Sequence, residues 1–399
     1  MYLFKKIWKF PHIIYFFLLI ILILIPSLFL GNITSNAVEI TDIDFIGSAT
    51  LPTGLSFQNT ELGGLSGITY DAKNDLYYAI SDDRSHKSAA RIYTLKIDLS
   101  KGLLRDGDVI PVAVSPLLNK AGTNFSAGSI DPEGIALNKK ANVFISSEGD
   151  VNRLIEPFIK EFSLASGREI STLPIPKKFL PHQNGKQGIR NNLAFESLTI
   201  TPNEKYLFTA TENALIQDGS EVKPNTGSPC RIVQYNLLTH QPEKEFLYLT
   251  ETVAPFLNFS RKFMGGLTDL LALDNQGKFL SLERHFTGLG FYIALFQFDL
   301  TTASDIHQIN SLLAVDTKKI KPVQKKLLLD LRKVDVLLDN IEGLTFGSKL
   351  PNGQRSLILV SDNNFNALQR TQILAFRLKI EAPFLRLLRR LRLVPNSQH

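Results

Sequence analysis

Five times along this chain, two short apolar runs flank a polar turn, with acidic or small polar residues at their outer ends. This repetition limits the fold more than any other feature. The clearest copy is Asp131-Pro132-Glu133-Gly134-Ile135-Ala136-Leu137, the turn Asn138 to Asn142, and Val143-Phe144-Ile145-Ser146-Ser147-Glu148. Apolar runs around a turn read as a β-hairpin, and antiparallel pairing puts Glu133 and Glu148 at the same end and on one face. The other copies start at Gly63, Phe195, Gly265 and Ile341. Their aligned positions are Ser66, Glu133, Glu196, Thr268 and Glu342, at intervals of 67, 63, 72 and 74 residues.

Such a period suits a four-stranded propeller blade. A third alternating run follows each hairpin, at Arg91 to Leu99, Phe158 to Leu164, Arg231 to Leu237, Phe291 to Leu300 and Gln372 to Ile380. A fourth follows in four copies, at Val109 to Val114, Ile170 to Ile175, Glu245 to Leu249 and Lys326 to Leu331. The last copy lacks one, and the isolated run Ile40 to Leu51 can fill the gap and close the ring. The expectation is an all-β propeller of five blades. A sixth, degenerate blade and a pair of β-sandwiches are the alternatives. Helix is expected only in the N-terminal segment and in brief turns such as Pro116 to Lys120.

Ahead of the repeats, Lys5, Lys6 and Lys9 precede an apolar run from Ile13 to Leu30, and Ser35-Asn36-Ala37 offers a small-residue cleavage site. This reads as an export signal or, at eighteen residues, as an uncleaved anchor. Either way the body is expected outside the cytoplasm, in the periplasm or beyond, with inner-membrane anchoring as an option. The domain plan is 1–37 signal or anchor, 38–382 propeller, and 383–399 a basic tail rich in Leu and Arg. The formal net charge of +6 sits at the two ends, and the body is close to neutral, which argues against nucleic acid as a partner. Membrane contact is expected only through the N-terminal run and the tail, and the protein is expected to be a monomer. Cys230 is the one cysteine, so no intramolecular disulfide can form. Ser228-Pro229-Cys230 reads as a loop carrying an unreactive thiol.

Propeller inner strands open onto one face, so the repeated acids converge there. Glu133, Glu196 and Glu342 stand at first-strand starts, and Asp82, Glu148, Glu212, Glu283 and Asp362 at second-strand ends. Crowded carboxylates raise one another's pKa or demand a cation. Oxygen donors of this kind suit calcium, with Asn213, Asn363 and Asn364 as neutral supplements. The ion is expected off-centre, toward Glu133, Glu196 and Glu342. Arg84, Arg91, Arg231, Arg284 and Arg370 fall near the same loops, where a guanidinium fork can pair with the acids or hold an anionic ester. Arg284, His285 and Glu283 are the candidate catalytic residues, and His86 is the other well-placed histidine. No nucleophile elbow surrounds Ser66 and no phosphate-cradling Gly-rich loop is present.

Gly64-Leu65-Ser66-Gly67-Ile68, Asp131-Pro132-Glu133-Gly134-Ile135, Asn192-Leu193-Ala194-Phe195-Glu196-Ser197-Leu198, Leu282-Glu283-Arg284-His285-Phe286 and Asn340-Ile341-Glu342-Gly343-Leu344 together resemble the phytase-like domain family. That family, also labelled esterase-like activity of phytase, consists of exported bacterial β-propellers. The resemblance covers about residues 60 to 380. It implies an exported, calcium-dependent hydrolase of phosphate or carboxylate esters, with Glu133, Glu196, Glu283, Arg284 and Glu342 at matching positions. The Asp-Ala-Ala-Asp-Asp-Pro stretch of alkaline propeller phytases is absent, which leaves the kind of ester open. The expected mechanism is metal-activated water attacking a small-molecule ester bound by Arg284. A non-catalytic ligand- or protein-binding propeller and a calcium-dependent lactonase are the rival readings.

Overall fold

A computed structural model describes residues 38–252, 264–288 and 290–381. The N-terminal signal or anchor and the basic tail lie outside the described residues. Among those described, no helix is long and apolar enough to cross a membrane.

The chain opens with β1 (Ile40–Leu51) and a small ribbon, β2 (Ser56–Phe57) and β3 (Thr60–Glu61). Blade 1 is β4 (Leu65–Asp71), β5 (Leu76–Ser81), β6 (Arg91–Ile97) and β7 (Val109–Pro116). Blade 2 is β8 (Pro132–Leu137), β9 (Asn142–Ser147), β10 (Phe158–Ser163) and β11 (Glu169–Leu173). Blade 3 is β12 (Thr199–Ile200), β13 (Tyr206–Ala210), β14 (Pro229–Asn236) and β15 (Gln241–Leu249). Blade 4 is β16 (Met264–Ala272), β17 (Lys278–Phe286), β18 (Phe291–Asp299) and β19 (Gln324–Asp330). Blade 5 is β20 (Ile341–Lys349), β21 (Arg355–Ser361) and β22 (Thr371–Ile380), with β1 as its outer strand.

The ring closes as the repeats require. β1 pairs antiparallel with β22 from Ile40↔Ile380 to Leu51↔Thr371. The inner strands touch in the cyclic order β4, β8, β12, β16, β20 and back to β4. Five blades complete the circle, and the described residues hold no sixth. Two details differ from the sequence reading. Pro116 to Lys120 is no helical turn, because Pro116 ends β7 and Leu118 bridges to Asn124 and Arg168. Cys230 lies inside β14 and is fully buried, because the β13-to-β14 loop is short of it. Burial pushes its thiol well above the ordinary range, which keeps it protonated and inert.

No single core exists. Five apolar clusters occupy the five blade-to-blade interfaces, for example Phe208, Phe246, Phe279 and Phe298 between blades 3 and 4. Alternating strand residues supply both faces of each blade to these interfaces, which is why the apolar runs are so dense. Toward the axis the inner strands approach to backbone contact. A Cβ on Gly67 would lie 2.5 Å from the Glu133 carbonyl oxygen, one on Gly134 2.8 Å from that of Glu196, and one on Gly343 2.9 Å from that of Ser66. Glycine follows the aligned polar residue at these places because the next blade's carbonyl occupies the room a side chain would need.

Gly134→Ala should therefore lower stability by about 1–3 kcal/mol, the usual result of overpacking, read as a shifted denaturant midpoint. An unchanged midpoint would show that the blades do not close to backbone contact here.

Candidate functional site

One irregularity, repeated in every blade, builds the site. Near the axis the first two strands pair once, slip by one residue, and pair on. The steps are Leu65↔Ser81 to Gly67↔Ile80, Pro132↔Ser147 to Ile135↔Ile145, Phe195↔Thr211 to Thr199↔Phe208, Leu267↔Glu283 to Asp269↔Leu282, and Ile341↔Ser361 to Gly343↔Val360. A bulge of this kind bends the strand and re-aims the extra side chain. The residues in the slip are Ser66, Glu133, Glu196, Thr268 and Glu342, which form one tier. One residue beyond the closing pair stand Asp82, Glu148, Glu212, Arg284 and Asp362, which form the second. In four blades the backbone N–H of that second residue donates across to the residue just ahead of the first strand's closing pair, at 2.8–3.0 Å. In blade 4 the equivalent pair is Gly266↔Arg284.

The structure therefore brings together all seven acids expected around an ion: Glu133, Glu196, Glu342, Glu148, Glu212, Asp82 and Asp362. It corrects the assignment of blade 4. Arg284, not Glu283, occupies the ring position, because side chains alternate along β17 and only every second residue faces the axis. Glu283 and His285 point the other way, away from the ring. There Glu283 accepts from Tyr248 Oη at 2.6 Å, Lys325 Nζ at 2.5 Å and the Glu251 N–H at 2.7 Å, with His285 Nε2 at 3.4 Å. Although burial opposes its charge, the bonds from His285, Lys325 and Tyr248 hold that carboxyl below the ordinary range. This is an ion-paired clamp joining blades 3 and 4, with no access to the ring.

The ring is electrostatically uneven. Arg284 Nη2 bonds Glu212 Oε1 at 2.9 Å, and Nη1 reaches Asn340 Oδ1 at 2.7 Å and Glu342 Oε1 at 3.2 Å. Asn340 also donates to Glu342 at 2.9 Å. Burial works against the Arg284 charge, but Glu342, Glu212, Glu196 and Asp362 outweigh it and hold the guanidinium protonated. Among the described residues the opposite side has no such buried cation. Asp131, Glu133 and Glu148 each offer an oxygen within 4.8 Å of the others, and all three are buried. Glu148 Oε1 accepts from the Ala194 N–H, while its Oε2 is buried with no partner. Asp82 Oδ1 is left in the same condition.

Burial first, and neighbouring acids second, push most of these carboxyls upward: Asp82 to about 8, and Glu133, Glu148, Glu196 and Asp362 well above the usual range. Burial raises Asp131 to about 6, with Arg84 pulling the other way. Glu212 rises to about 7 and Glu342 rises too, both through burial, with Arg284 pulling the other way.

Asp131 and Asn340 are the ring members that sequence reasoning missed. Their signal was available, since each stands two residues ahead of a bulge glutamate, Glu133 or Glu342. The proposed neutral ligands are otherwise engaged: Asn213 Oδ1 accepts from the Val222 N–H, Asn363 Oδ1 accepts from the Gly64 N–H, and Asn364 is exposed. Of the five arginines, only Arg84 and Arg284 reach the ring. Arg91 pairs with Asp83, Arg231 with Asp218 and Glu245, and the Arg370 N–H bonds Asp339. His86 is exposed near the rim.

A family model described as phytase-like, esterase-like activity of phytase, matches residues 60–365. An uncharacterized secreted protein of Arthroderma benhamiae is 26% identical over 153 residues, a stretch that spans 33% of this chain and 28% of that protein. Among solved structures, an endo-arabinase from Bacteroides thetaiotaomicron is 12% identical with a TM-score of 0.41, covering 82% of this chain and 95% of its own. Hydrazine synthase of Kuenenia stuttgartiensis is 9% identical with a TM-score of 0.36, covering 80% and 82%. Likenesses this distant say nothing of chemistry.

The raised carboxyls set a pH dependence whose sign is fixed. They keep protons in the folded chain that the unfolded chain has lost, so unfolding releases protons and rising pH favours it. In chelator, thermal stability should fall from about pH 5 to about pH 8, as Asp131, Glu212 and Asp82 pass their values of about 6, 7 and 8. Stability that rises across this window would mean that the ring is ionised and compensated.

Proposed function

This chain belongs to the phytase-like family, and from that premise and the acidic ring we propose an exported hydrolase of phosphate or carboxylate esters. The observation that carries the reading is the cluster of Asp131, Glu133 and Glu148, with oxygens within 4.8 Å of one another and a buried, unpartnered Glu148 Oε2. A carboxylate oxygen with no donor, out of reach of bulk water and beside two more acids, fits a desolvated hard cation. Calcium is the ion this donor set suits. Asp131, Glu133 and Glu148 would hold it, with Asp82 and Glu196 beside them. When bound, such an ion polarises an ester oxygen and lowers the pKa of a water.

The chain's own residues supply the rest. Arg284, two blades round the ring, is fixed in orientation by Glu212, Glu342 and Asn340, and its Nε has no partner among the described residues. A guanidinium so held is pre-organised to meet an anionic oxygen of the ester. Glu196 lies between the two halves, interacting with Glu148, Glu212, Glu342 and Arg284. A carboxyl whose pKa burial has pushed up can carry a proton at neutral pH and hand it to a leaving alcohol. Export is supported by the basic and apolar N-terminal run and by the secreted relative. A small ester suits a site walled by five blades.

The test is turnover of aryl phosphates, aryl carboxylate esters and lactones by the purified protein, with calcium and with chelator. Activity should require calcium. Glu133→Gln should lose at least about 10- to 100-fold, and Arg284→Lys about 10²-fold or more in kcat/KM. Turnover of lactones alone would reassign the substrate class. No turnover on any substrate, with no effect of chelator on melting temperature, would leave a ligand-binding propeller.

A further inference from the structure

Arg84 is unlike Arg91 and Arg231, two other arginines expected near the ring loops. Arg91 and Arg231 are fully buried and surrounded by partners, at 1% and 0% exposure. The Arg84 side chain is 36% exposed, yet its Nε lies 2.6 Å from Oδ1 of Asp131, which is 5% exposed. Its Nη2 donates to Asn192 Oδ1, and its Nη1 makes no hydrogen bond to the described residues. The guanidinium interacts with three acids, Asp131, Glu133 and Glu148. These are the same three whose oxygens converge. The one partly exposed cation of the ring thus stands over the cluster that lacks a buried one.

The loop that carries Arg84 is pinned. Arg84 and Ser85 are consecutive residues in the left-handed region, with φ of 51° and 57°. Backbone in that region persists only where the surroundings hold it. Here the Gly128 N–H donates to Arg84 O at 2.7 Å, and the Asp83 carboxylate accepts from the Lys87 and Ser88 N–H groups at 2.8 Å each. With the backbone fixed, the long side chain is the part free to move.

We infer that Arg84 is an exchangeable counter-ion, which covers Asp131 in the cation-free chain and, once a divalent cation takes that carboxylate, turns its guanidinium to an anionic oxygen of the substrate. The inference rests on the calcium reading above. A guanidinium and a divalent cation on one carboxylate repel each other, so Arg84 weakens cation binding. The displaced fork then sits at the mouth of the ring, where it can meet a phosphate or carboxylate group bidentately. The opposing duties belong to one residue: it protects the acids while the site is empty and recruits the substrate when it is full.

The experiment is calorimetric titration of the full protein and of Arg84→Ala and Arg84→Lys with calcium chloride alone, then of the calcium-loaded proteins with inorganic phosphate. Arg84→Ala should bind calcium about tenfold more tightly and phosphate about tenfold more weakly, a coupling of ordinary size. Arg84→Lys, which keeps the charge without the fork, should bind calcium like the parent and phosphate more weakly. Calcium affinity unchanged or lowered in Arg84→Ala would overturn the inference and make the pair structural. Phosphate affinity unchanged in both variants would overturn the substrate-binding half. Failure of the parent and both variants to bind calcium would instead sink the cation reading itself, and this inference with it.

Discussion

The strand that joins the two ends of the propeller holds everything else in place. β1 and β22 pair over their whole length, and that closure is what confines the inner strands to a ring. An open stack of blades could splay and let its acids move apart. A closed one cannot. The eight carboxylates, Asp131 included, are therefore held at a spacing that their mutual repulsion would not choose, and burial removes the water that would otherwise screen them. Three responses are open to such a set: take up protons, find a fixed cation, or bind a free one. The ring is disposed to the first and shows the second. Its carboxyls are shifted upward, and Arg284 answers Glu212 and Glu342. The third is what we propose for the Asp131, Glu133 and Glu148 side.

Blade 4 breaks the symmetry. Its bulge carries Thr268, neutral like Ser66 of blade 1, and beyond the closing pair, where all four siblings carry an acid, it carries Arg284. Its arginine divides the ring into a half answered by a buried cation, Arg284, and a half answered by the partly exposed Arg84. Fivefold repetition alone would give a pore with one smooth acidic lining. One divergent copy gives that lining a direction, with the Arg284 guanidinium on one side and the Asp131, Glu133 and Glu148 cluster on the other. The same blade shows why its remaining polar residues are spent on structure: Glu283 and Lys325 close the seam to Tyr248 of blade 3.

The blade count, the strand runs and the closing strand were legible because each rests on period-two alternation repeated five times. The seven ring acids were legible for the same reason. Counting Glu283 at the end of the second strand went astray by one residue: it aligns with Ser81, Ser147, Thr211 and Ser361 of the closing pairs, and a shift of one reverses which side chains face the axis. The bulge had an indirect trace in the glycines after Ser66, Glu133 and Glu342, yet blades 3 and 4 replace that glycine with Ser197 and Asp269. Asp269 satisfies its carboxylate on the Leu270 and Leu344 N–H groups, a backbone role that no spacing rule could foretell. Asn213 and Asn363 were likewise taken by backbone partners, which only the folded loops reveal.

The closing strand also orders events in time. Thr41 Oγ1 bonds the carbonyl of Lys379, 338 residues away, and contacts so distant in sequence form late and slowly. A chain emerging from its N-terminus must carry β1 without a partner until blade 5 is finished. Through that interval the edges of β1 and β22 are open to any other unpaired strand. The last step in folding is thus also the step at which a neighbouring copy could be captured by mistake, and the Asp42, Asp44, Arg377 and Lys379 ion pairs across the seam supply the charges that favour the chain's own strand over a stranger's.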